Sequence, residues 1–210
     1  MSRPSSPSSV EQRVLAELRA AGKSRHLSLV TPADLAAVGS RRAVDIALHR
    51  LTAQGAIRRV ARGLYYVPQV HSVLGEVRPT ANAIVRALAS KHQLRIQPSG
   101  AQAANLLGLS EQVPQRLVYL TDGPPRRIRY GRQEIILRRT TPRNMATAGR
   151  VSGLVIQALR HLGAPEVTDD MIAALRKRLR PKDRRELLAD APLAPAWIAE
   201  VMRAIASPAH

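Results

Sequence analysis

Six polar residues within eleven positions carry the first candidate chemistry of this chain. They comprise one serine, one acid, one histidine and three arginines: Ser40, Arg41, Arg42, Asp45, His49 and Arg50. An arginine can donate two parallel hydrogen bonds to guanine O6 and N7 in the major groove of DNA. A hydroxyl and the free amides at a helix N-terminus bind phosphate oxygens. The group therefore predicts contacts with base edges and, at Ser40, with phosphate; solvation of the outer face of a helix is the alternative.

A short basic stretch follows, in which AIRRV and LYYVP have the pattern of two strands about the turn ARG. Arg58 and Arg59 lie on the first strand, and Arg62 and Gly63 form the tip. A basic hairpin of this kind meets the sugar-phosphate backbone or the minor groove of DNA. Alternation along the strand directs Arg58 to one face and Arg59 with Ala61 to the other, so the arginines are not expected to meet one DNA surface together.

The second half of the chain carries a further basic cluster of seven arginines: Arg126, Arg127, Arg129, Arg132, Arg138, Arg139 and Arg143. Such a surface can hold an acidic partner protein, extend a DNA footprint or bind RNA. A solvated basic sheet face is an equal alternative. A third basic run over residues 176–185 lies beside Asp183 and Glu186, which predicts surface salt bridges there.

Two helices and a connection between them must position the first group of residues. Ser8 or Ser9 stands at capping-box spacing from Glu11 or Gln12, and this start signal predicts a helix that Gly22 closes. A second, short helix is predicted over residues 32–37, because a threonine precedes a proline at the first helical position.

The third helix is predicted over residues 41–54, after a left-handed turn at Gly39 and an N-cap at Ser40, and Gly55 ends it. Tyr65 and Tyr66 are predicted to pack and to hydrogen-bond at the base of the hairpin that follows. Helix, short helix, turn, helix and hairpin is the element order of a winged helix-turn-helix. The sequence therefore predicts a winged helix-turn-helix over residues 9–69, after a disordered leader over residues 1–8.

The rest of the chain is predicted to be α+β and to end in helices, giving an α+β domain over residues 70–150 and a C-terminal helical subdomain over residues 151–210. Residues 70–81 are expected to form an ordered connection. A helix over 81–92, a short strand over 94–98 and a helix capped by Ser99 come next. About three strands of a small antiparallel sheet are expected between residues 116 and 140. Four helices are then predicted, over residues 151–162, 169–180, 181–189 and 195–206.

Composition limits the classes of protein that this chain can belong to. Its 210 residues include 33 Lys and Arg against 15 Asp and Glu, a formal net charge of +18, and no cysteine. Such an excess attracts phosphate backbones, and the missing thiol excludes disulfides, thiolate zinc sites and cysteine nucleophiles. With neither a signal-peptide pattern nor an apolar run of about 18 residues, a cytoplasmic protein without membrane contact is expected.

Catalytic motifs are scarce in this sequence. It has no HExxH metal motif, no GxSxG nucleophile elbow and no phosphate-binding Walker loop. Asp122 and Glu134 fall on neighbouring predicted strands, as in some metal-dependent nucleases, but Ile136 stands where that pattern has lysine. We therefore expect a protein that is not an enzyme and that uses no metal and no cofactor.

Four stretches of the chain resemble the DUF6088 family, which is related to AbiEi-type antitoxins of type IV toxin–antitoxin systems: VARGLYYVP, QPSGAQAANLLGLSEQVP, VYLTDGPPRRIRYGRQEIILRRTTPRNM and RVSGLVIQALRHLG. The resemblance covers nearly the whole chain. It implies a winged helix that binds operator DNA and represses the protein's own operon, and a C-terminal domain needed for antitoxin action. It also implies a bacterial, nucleoid-associated protein whose functional partner is a nucleotidyltransferase-like toxin, with or without a direct complex.

The sequence thus predicts a sequence-specific repressor that binds double-stranded DNA at its own operator. One alternative is a protein-interaction module whose basic second half binds an acidic partner. A second alternative is an RNA-binding protein, against which stands an aromatic content of only 2%, since single-strand recognition depends on stacking. Monomeric and dimeric forms are both compatible with operator binding.

Overall fold

In a computed structural model, the chain is described over residues 9–24, 29–72, 75–112, 114–131 and 133–207. The predicted leader over residues 1–8 and Arg132 lie outside the described residues. The fold is a mixed α+β structure, as predicted. It divides into two compact units, Met1–His92 and Gln93–His210. The finer domain boundaries drawn from the sequence stay predictions.

The first helix, α1 (Val10–Ser24), begins as predicted. The backbone amide of Ser9 donates to Gln12 Oε1 at 3.0 Å, and the amide of Gln12 donates to Ser9 Oγ at 3.2 Å, which completes a capping box. The prediction that Gly22 closes this helix is wrong, because the helix continues to Ser24. The carbonyl of Gly22 instead accepts a hydrogen bond from Gln69 Nε2 at 3.3 Å.

The predicted short helix over residues 32–37 is replaced by consecutive turns. The amide of Asp34 donates to the Thr31 carbonyl at 3.1 Å and that of Val38 to the Leu35 carbonyl at 3.0 Å, both over three residues. The Asp34 carboxylate also accepts from the amide and hydroxyl of Thr31. Because Leu35 and Val38 are three residues apart, the turns place both side chains on the same side of the segment, where both are buried. The turns thus contribute the same apolar side chains to the core that a helix would.

The next helix, α2 (Arg41–Ala53), presents one face to the core of the first unit. Ser40 caps it as predicted, accepting from the Ala43 amide at 3.4 Å, and Gly55 follows it with φ +75°. Gly39 does not adopt the predicted left-handed conformation; a Cβ at this position would lie 3.5 Å from Val10 Cγ1. Four predicted core residues of α2 are all buried: Val44, Ala47, Leu48 and Leu51.

Two β-hairpins follow α2. Strands β1 (Arg58–Ala61) and β2 (Leu64–Tyr66) pair antiparallel, and a register shift between Arg59 and Ala61 interrupts the predicted alternation. Strands β3 (Gln69–His71) and β4 (Gly75–Val77) pair within the segment predicted as a connection. Helix α3 (Ala81–His92) completes the first unit and has its predicted bounds.

Tyr66 contacts both hairpins of the first unit. Its side chain is buried, and its hydroxyl donates to Glu76 Oε1 at 3.2 Å. Burial, together with the hydrogen bond to the Glu76 carboxylate, raises the pKa of Tyr66 above its ordinary value. The predicted packing and hydrogen-bonding role is thus confirmed for Tyr66. Tyr65 forms a backbone bridge with Val30.

The second unit contains one mixed four-stranded sheet rather than the predicted antiparallel one. Its strands are β5 (Ile96–Pro98), β6 (Arg116–Thr121), β7 (Arg126–Tyr130) and β8 (Gln133–Arg139). They lie in the order β5-β6-β8-β7, and β6 pairs parallel with β8. Strand β7 takes the outer edge and β8 returns between β6 and β7, an order that alternation of apolar residues cannot specify.

Helices form the remainder of the second unit. The short helix α4 (Ala101–Leu106) follows Gly100, so the predicted cap by Ser99 is wrong. The four predicted C-terminal helices are confirmed, with ends shifted by at most two residues: α5 (Val151–Leu162), α6 (Asp169–Arg178), α7 (Pro181–Asp190) and α8 (Ala196–Ala206). The predicted salt bridging is confirmed for Arg180, whose Nε lies 2.8 Å from Asp183 Oδ2, although the Asp183 carboxylate is buried and not at the surface.

Substitutions on the two sides of α2 should lower the stability of the protein to different degrees. Leu48→Ala should lower the free energy of unfolding by about 2–5 kcal/mol, because the fully buried side chain leaves a cavity. Ile46→Ala should change it by less than about 0.5 kcal/mol, because the side chain is exposed. Chemical denaturation followed by circular dichroism measures both. Equal losses for the two variants would contradict the orientation of the helix.

Candidate nucleic-acid interface

The outer face of α2 presents a row of three side chains to solvent. Arg42, Ile46 and His49 are spaced by four and then three residues, which places them on one side of a helix, opposite the buried stripe. Ile46 is 46% exposed in the middle of this row. The sequence analysis did not identify Ile46. Its exposure could have been predicted, because position 46 falls outside the helical spacing of the apolar positions 44, 47, 48 and 51.

Arg41 and Asp45 form an ion pair beside this row. Arg41 Nε lies 2.8 Å from Asp45 Oδ2, with the two side chains 70% and 50% exposed. An exposed pair of this kind contributes only about 0.3–0.5 kcal/mol to stability. In this structure the pair places the Arg41 guanidinium beside Asp45, one turn further along the helix. Arg42, in contrast, has no acidic partner among the described residues.

The predicted recognition residues of α2 share one shallow groove. This surface groove is lined by the ion pair, the exposed row and the basic residue of the last turn: Arg41, Arg42, Asp45, Ile46, His49 and Arg50. Ser40 lies at the start of the same helix, where its hydroxyl oxygen serves as the cap. The groove therefore combines guanidinium and imidazole donors with one aliphatic side chain, which are the groups that contact base edges in a major groove.

The arginines of the first hairpin differ in how many side-chain hydrogen bonds and ion pairs they make. Arg58 Nη1 donates to the Gly55 carbonyl at 3.0 Å, and its Nε lies 3.9 Å from Glu76. Arg59 Nε donates to the Ala61 carbonyl at 3.4 Å. Arg62 is exposed at the tip and makes no side-chain hydrogen bond or ion pair within the described part of the chain. Arg62 is therefore the arginine of this hairpin best placed to meet a phosphate.

The tip of the hairpin is held from α3. Lys91 Nζ donates to the carbonyls of Arg62 and Gly63, at 2.7 and 3.1 Å. Gly63 has φ +67°, a left-handed conformation that favours glycine in this tight turn. The sequence analysis missed Lys91 because it lies 28 and 29 residues from its acceptors, and no local sequence pattern predicts such a contact.

The predicted second basic surface is divided between the two faces of the sheet. Cross-strand pairing and alternation place Arg127, Arg129 and Arg138 on one face and Arg126 and Arg139 on the other. The last two members of the predicted cluster are separate from both sets: Arg143 lies in a helical turn after β8, and Arg132 is not among the described residues. The cluster therefore does not form one continuous surface.

The two acidic residues considered as metal ligands of a nuclease form ion pairs with arginines. Arg95 Nε lies 3.0 Å from Asp122 Oδ2, and this hydrogen bond lowers the pKa of the Asp122 carboxyl. Glu134 lies 3.6 Å from Arg116 and 4.0 Å from Arg127. Within the described residues, no three His, Asp or Glu side chains are grouped to hold a metal ion. Every helix in the same part of the chain is too short or too polar to span a bilayer.

Comparison with sequence models of protein families places this α+β protein in a family. The chain belongs to DUF6088, a family of unknown function, whose sequence model matches residues 16–187. No curated protein matches the chain. Among solved structures, the chain is similar to the crystal structure of RV2827C protein from Mycobacterium tuberculosis. That likeness has a TM-score of 0.45 and 14% sequence identity, and it covers 93% of this chain and 81% of that one.

Removal of the Lys91 ammonium should loosen the hairpin tip. We expect Lys91→Met to accelerate hydrogen exchange at the backbone amides around Arg62 and Gly63, because their carbonyls lose a charged donor. Arg86→Met, an exposed position on the same helix, is the matched control and should leave these amides unchanged. Unaltered exchange in Lys91→Met would show that the tip does not depend on this contact.

Proposed function

We propose that this protein is a sequence-specific DNA-binding repressor in which α2 enters the major groove. The observation that carries the proposal is the outer face of α2, where Arg42, Ile46 and His49 are exposed together beside Arg41. The order helix, turns, helix and hairpin supports a winged helix-turn-helix arrangement of the first unit. The net charge of +18 adds non-specific attraction to the phosphate backbone.

Each side chain in the row has a definite role in this proposal. Arg42 donates to guanine O6 and N7, and Ile46 contacts a thymine methyl group. His49 hydrogen-bonds a neighbouring base edge. Asp45 orients Arg41 through their ion pair, so that the Arg41 guanidinium contacts either a base or the adjacent phosphate. Ser40 and Arg62 hold phosphates on either side of the bases that are read.

The proposal extends to autoregulation within a type IV, AbiE-like toxin–antitoxin module. It rests on the resemblance of the four stretches to the DUF6088 family, and on the relation of that family to AbiEi-type antitoxins, whose partners are nucleotidyltransferase-like toxins. A neighbouring gene for such a nucleotidyltransferase, and relief of its toxicity when this chain is co-expressed, would support the extension. Unrelieved toxicity would remove the antitoxin role and leave the repressor role standing.

The repressor proposal is tested by binding to the DNA upstream of the protein's own gene. A scrambled duplex of equal length is the reference, and both are titrated across a salt series. We expect a preference for the upstream duplex that persists at physiological salt. Equal affinities that fall steeply together with salt would mean that the charge alone drives binding, and the proposal would fail.

Loss of both arginines at the start of α2 should remove specificity. Arg41→Ala/Arg42→Ala is expected to weaken binding to the upstream duplex by about 1–3 kcal/mol for each bidentate contact that is lost. Binding to the scrambled duplex should weaken less. Lys177→Ala/Arg185→Ala removes the same charge from exposed positions of the second unit and is the matched control. The ratio of the two affinities is the readout, and an unchanged ratio in the α2 variant would exclude α2 as the recognition helix.

Arg62→Ala should weaken all DNA binding to a similar degree. A phosphate contact carries no sequence information, so affinity for upstream and scrambled duplexes should fall in parallel. The slope of log affinity against log salt should decrease by about one, as one fewer counterion is released. A selective loss on the upstream duplex would show that Arg62 reads bases instead.

A further inference from the structure

A polar cleft of about 400 Å³ lies within the second unit, apart from the residues assigned to DNA. We name it the polar cleft. The end of β8, the segment after it, the last turn of α5 and the loop before α4 contribute its polar side chains: Arg138, Thr140, Asn144, Arg160, His161 and Ser99. Its volume falls within the range of about 300–1,000 Å³ that is usual for small-molecule sites.

The charge of the polar cleft is positive and uncompensated. None of the described residues that line it carries a carboxylate. Arg138 and Arg160 have no acidic partner among the described residues. The ring of His161, in the last turn of α5, lies beside Gly100, with Nδ1 3.8 Å from where a Cβ of residue 100 would stand. The C-terminal dipole of α5 explains why Arg160 and His161 are tolerated in its last turn. It does not explain why Arg138, from a strand, lines the same cavity.

The hydrogen bonds around the polar cleft leave one hydroxyl donor unused. Arg160 Nη1 donates to Asn144 Oδ1 at 2.7 Å, and Asn144 Nδ2 donates to Thr140 Oγ1 at 2.9 Å. Since the Thr140 oxygen accepts this bond, its own proton remains to be donated. The chain of bonds fixes the Arg160 guanidinium and the Thr140 hydroxyl in relation to each other.

Two buried polar side chains form the floor of the polar cleft. Ser99 Oγ donates to Gln157 Oε1 at 3.4 Å, and both residues are less than 10% exposed. The Gln157 amide nitrogen donates no hydrogen bond within the described part of the chain. The floor thus supplies a further donor to an occupant.

The position of the polar cleft in the sheet agrees with a binding role. Leu120 and Arg138 lie next to the carboxyl ends of the parallel strands β6 and β8, and Thr140 follows β8 directly. Ligands of open α/β sheets bind outside the carboxyl ends of parallel strands. Gly100, on the opposite wall, has φ +60°, which favours glycine there.

We propose that the polar cleft binds a small phosphate monoester, with the phosphate group between Arg138 and Arg160. Guanidinium groups bind phosphate oxygens through paired hydrogen bonds, and Thr140 and Gln157 donate to the remaining acceptors. A monoester carries about −1.5 to −2 charges at neutral pH, which matches the uncompensated cations better than the single charge of a backbone phosphodiester. The second unit would then be a ligand-binding unit, independent of the function of α2.

Calorimetric titration of the full chain with inorganic phosphate and with adenosine monophosphate tests the proposal. Both probes should bind saturably, and adenosine should not. Arg138→Ala and Arg160→Ala should each weaken binding roughly ten- to hundredfold, the effect of losing one charged hydrogen bond. Arg129→Ala, on the same sheet and equally cationic, is the matched control and should retain the affinity of the original protein.

Three results would overturn the proposal. The first is the absence of saturable binding of both probes. The second is an equal loss in Arg129→Ala, which would mean that the net charge attracts anions without a site. The third is a duplex of random sequence that displaces adenosine monophosphate and loses its own affinity in the Arg138 variant, which would assign the cleft to nucleic acid. Phosphate binding that survives Arg41→Ala/Arg42→Ala separates this proposal from the repressor proposal.

Discussion

Burial of one side of α2 is the constraint on which the rest of the first unit depends. Val44, Ala47, Leu48 and Leu51 pack in a core that also contains Val14 from α1, so the helix cannot rotate without exposing them. The opposite side must then face solvent. Arg42, Ile46 and His49 are held outward by this packing rather than by bonds of their own. The rigidity of the core is therefore what aligns the candidate recognition surface.

The chain has few acidic residues to neutralise its basic ones. With 33 basic residues and 15 acidic ones, most cations cannot find a carboxylate. The carboxylates that are present bind neighbouring side chains. Asp45 pairs with Arg41, and Glu76 accepts from Tyr66 and lies 3.9 Å from Arg58. Asp190 accepts from Arg150 and Ser152. Among the arginines without an acidic partner in the described part of the chain are Arg42, on the open outer face of α2, and Arg138 and Arg160, in the polar cleft. The roles proposed for these two surfaces differ because one is an open helix face and the other is a cleft, although both are basic.

Local signals in the sequence predicted the helices well and the long-range arrangement poorly. The capping box at Ser9, the cap at Ser40 and the bounds of α3 and α5 follow from interactions within a few residues. The parallel pairing of β6 with β8 does not, since alternation is the same for either strand order. The contact of Lys91 with the hairpin tip depends on segments 28 and 29 residues apart. The division of the second arginine cluster, in contrast, follows from alternation along β7 and β8 and was available to sequence reasoning. Ile46 was available to sequence reasoning, because the helical spacing of α2 already placed it outside the core stripe.

Dimethyl sulfate footprinting of the upstream duplex tests the central claim most directly. The reagent methylates guanine N7 in the major groove and adenine N3 in the minor groove, so it reports which groove the protein occupies. If α2 reads base edges, the bound protein should protect a short cluster of guanine N7 atoms on one side of the duplex. Specific binding that leaves every guanine N7 reactive, or that protects adenine N3 alone, would contradict the assignment of α2 as the recognition helix.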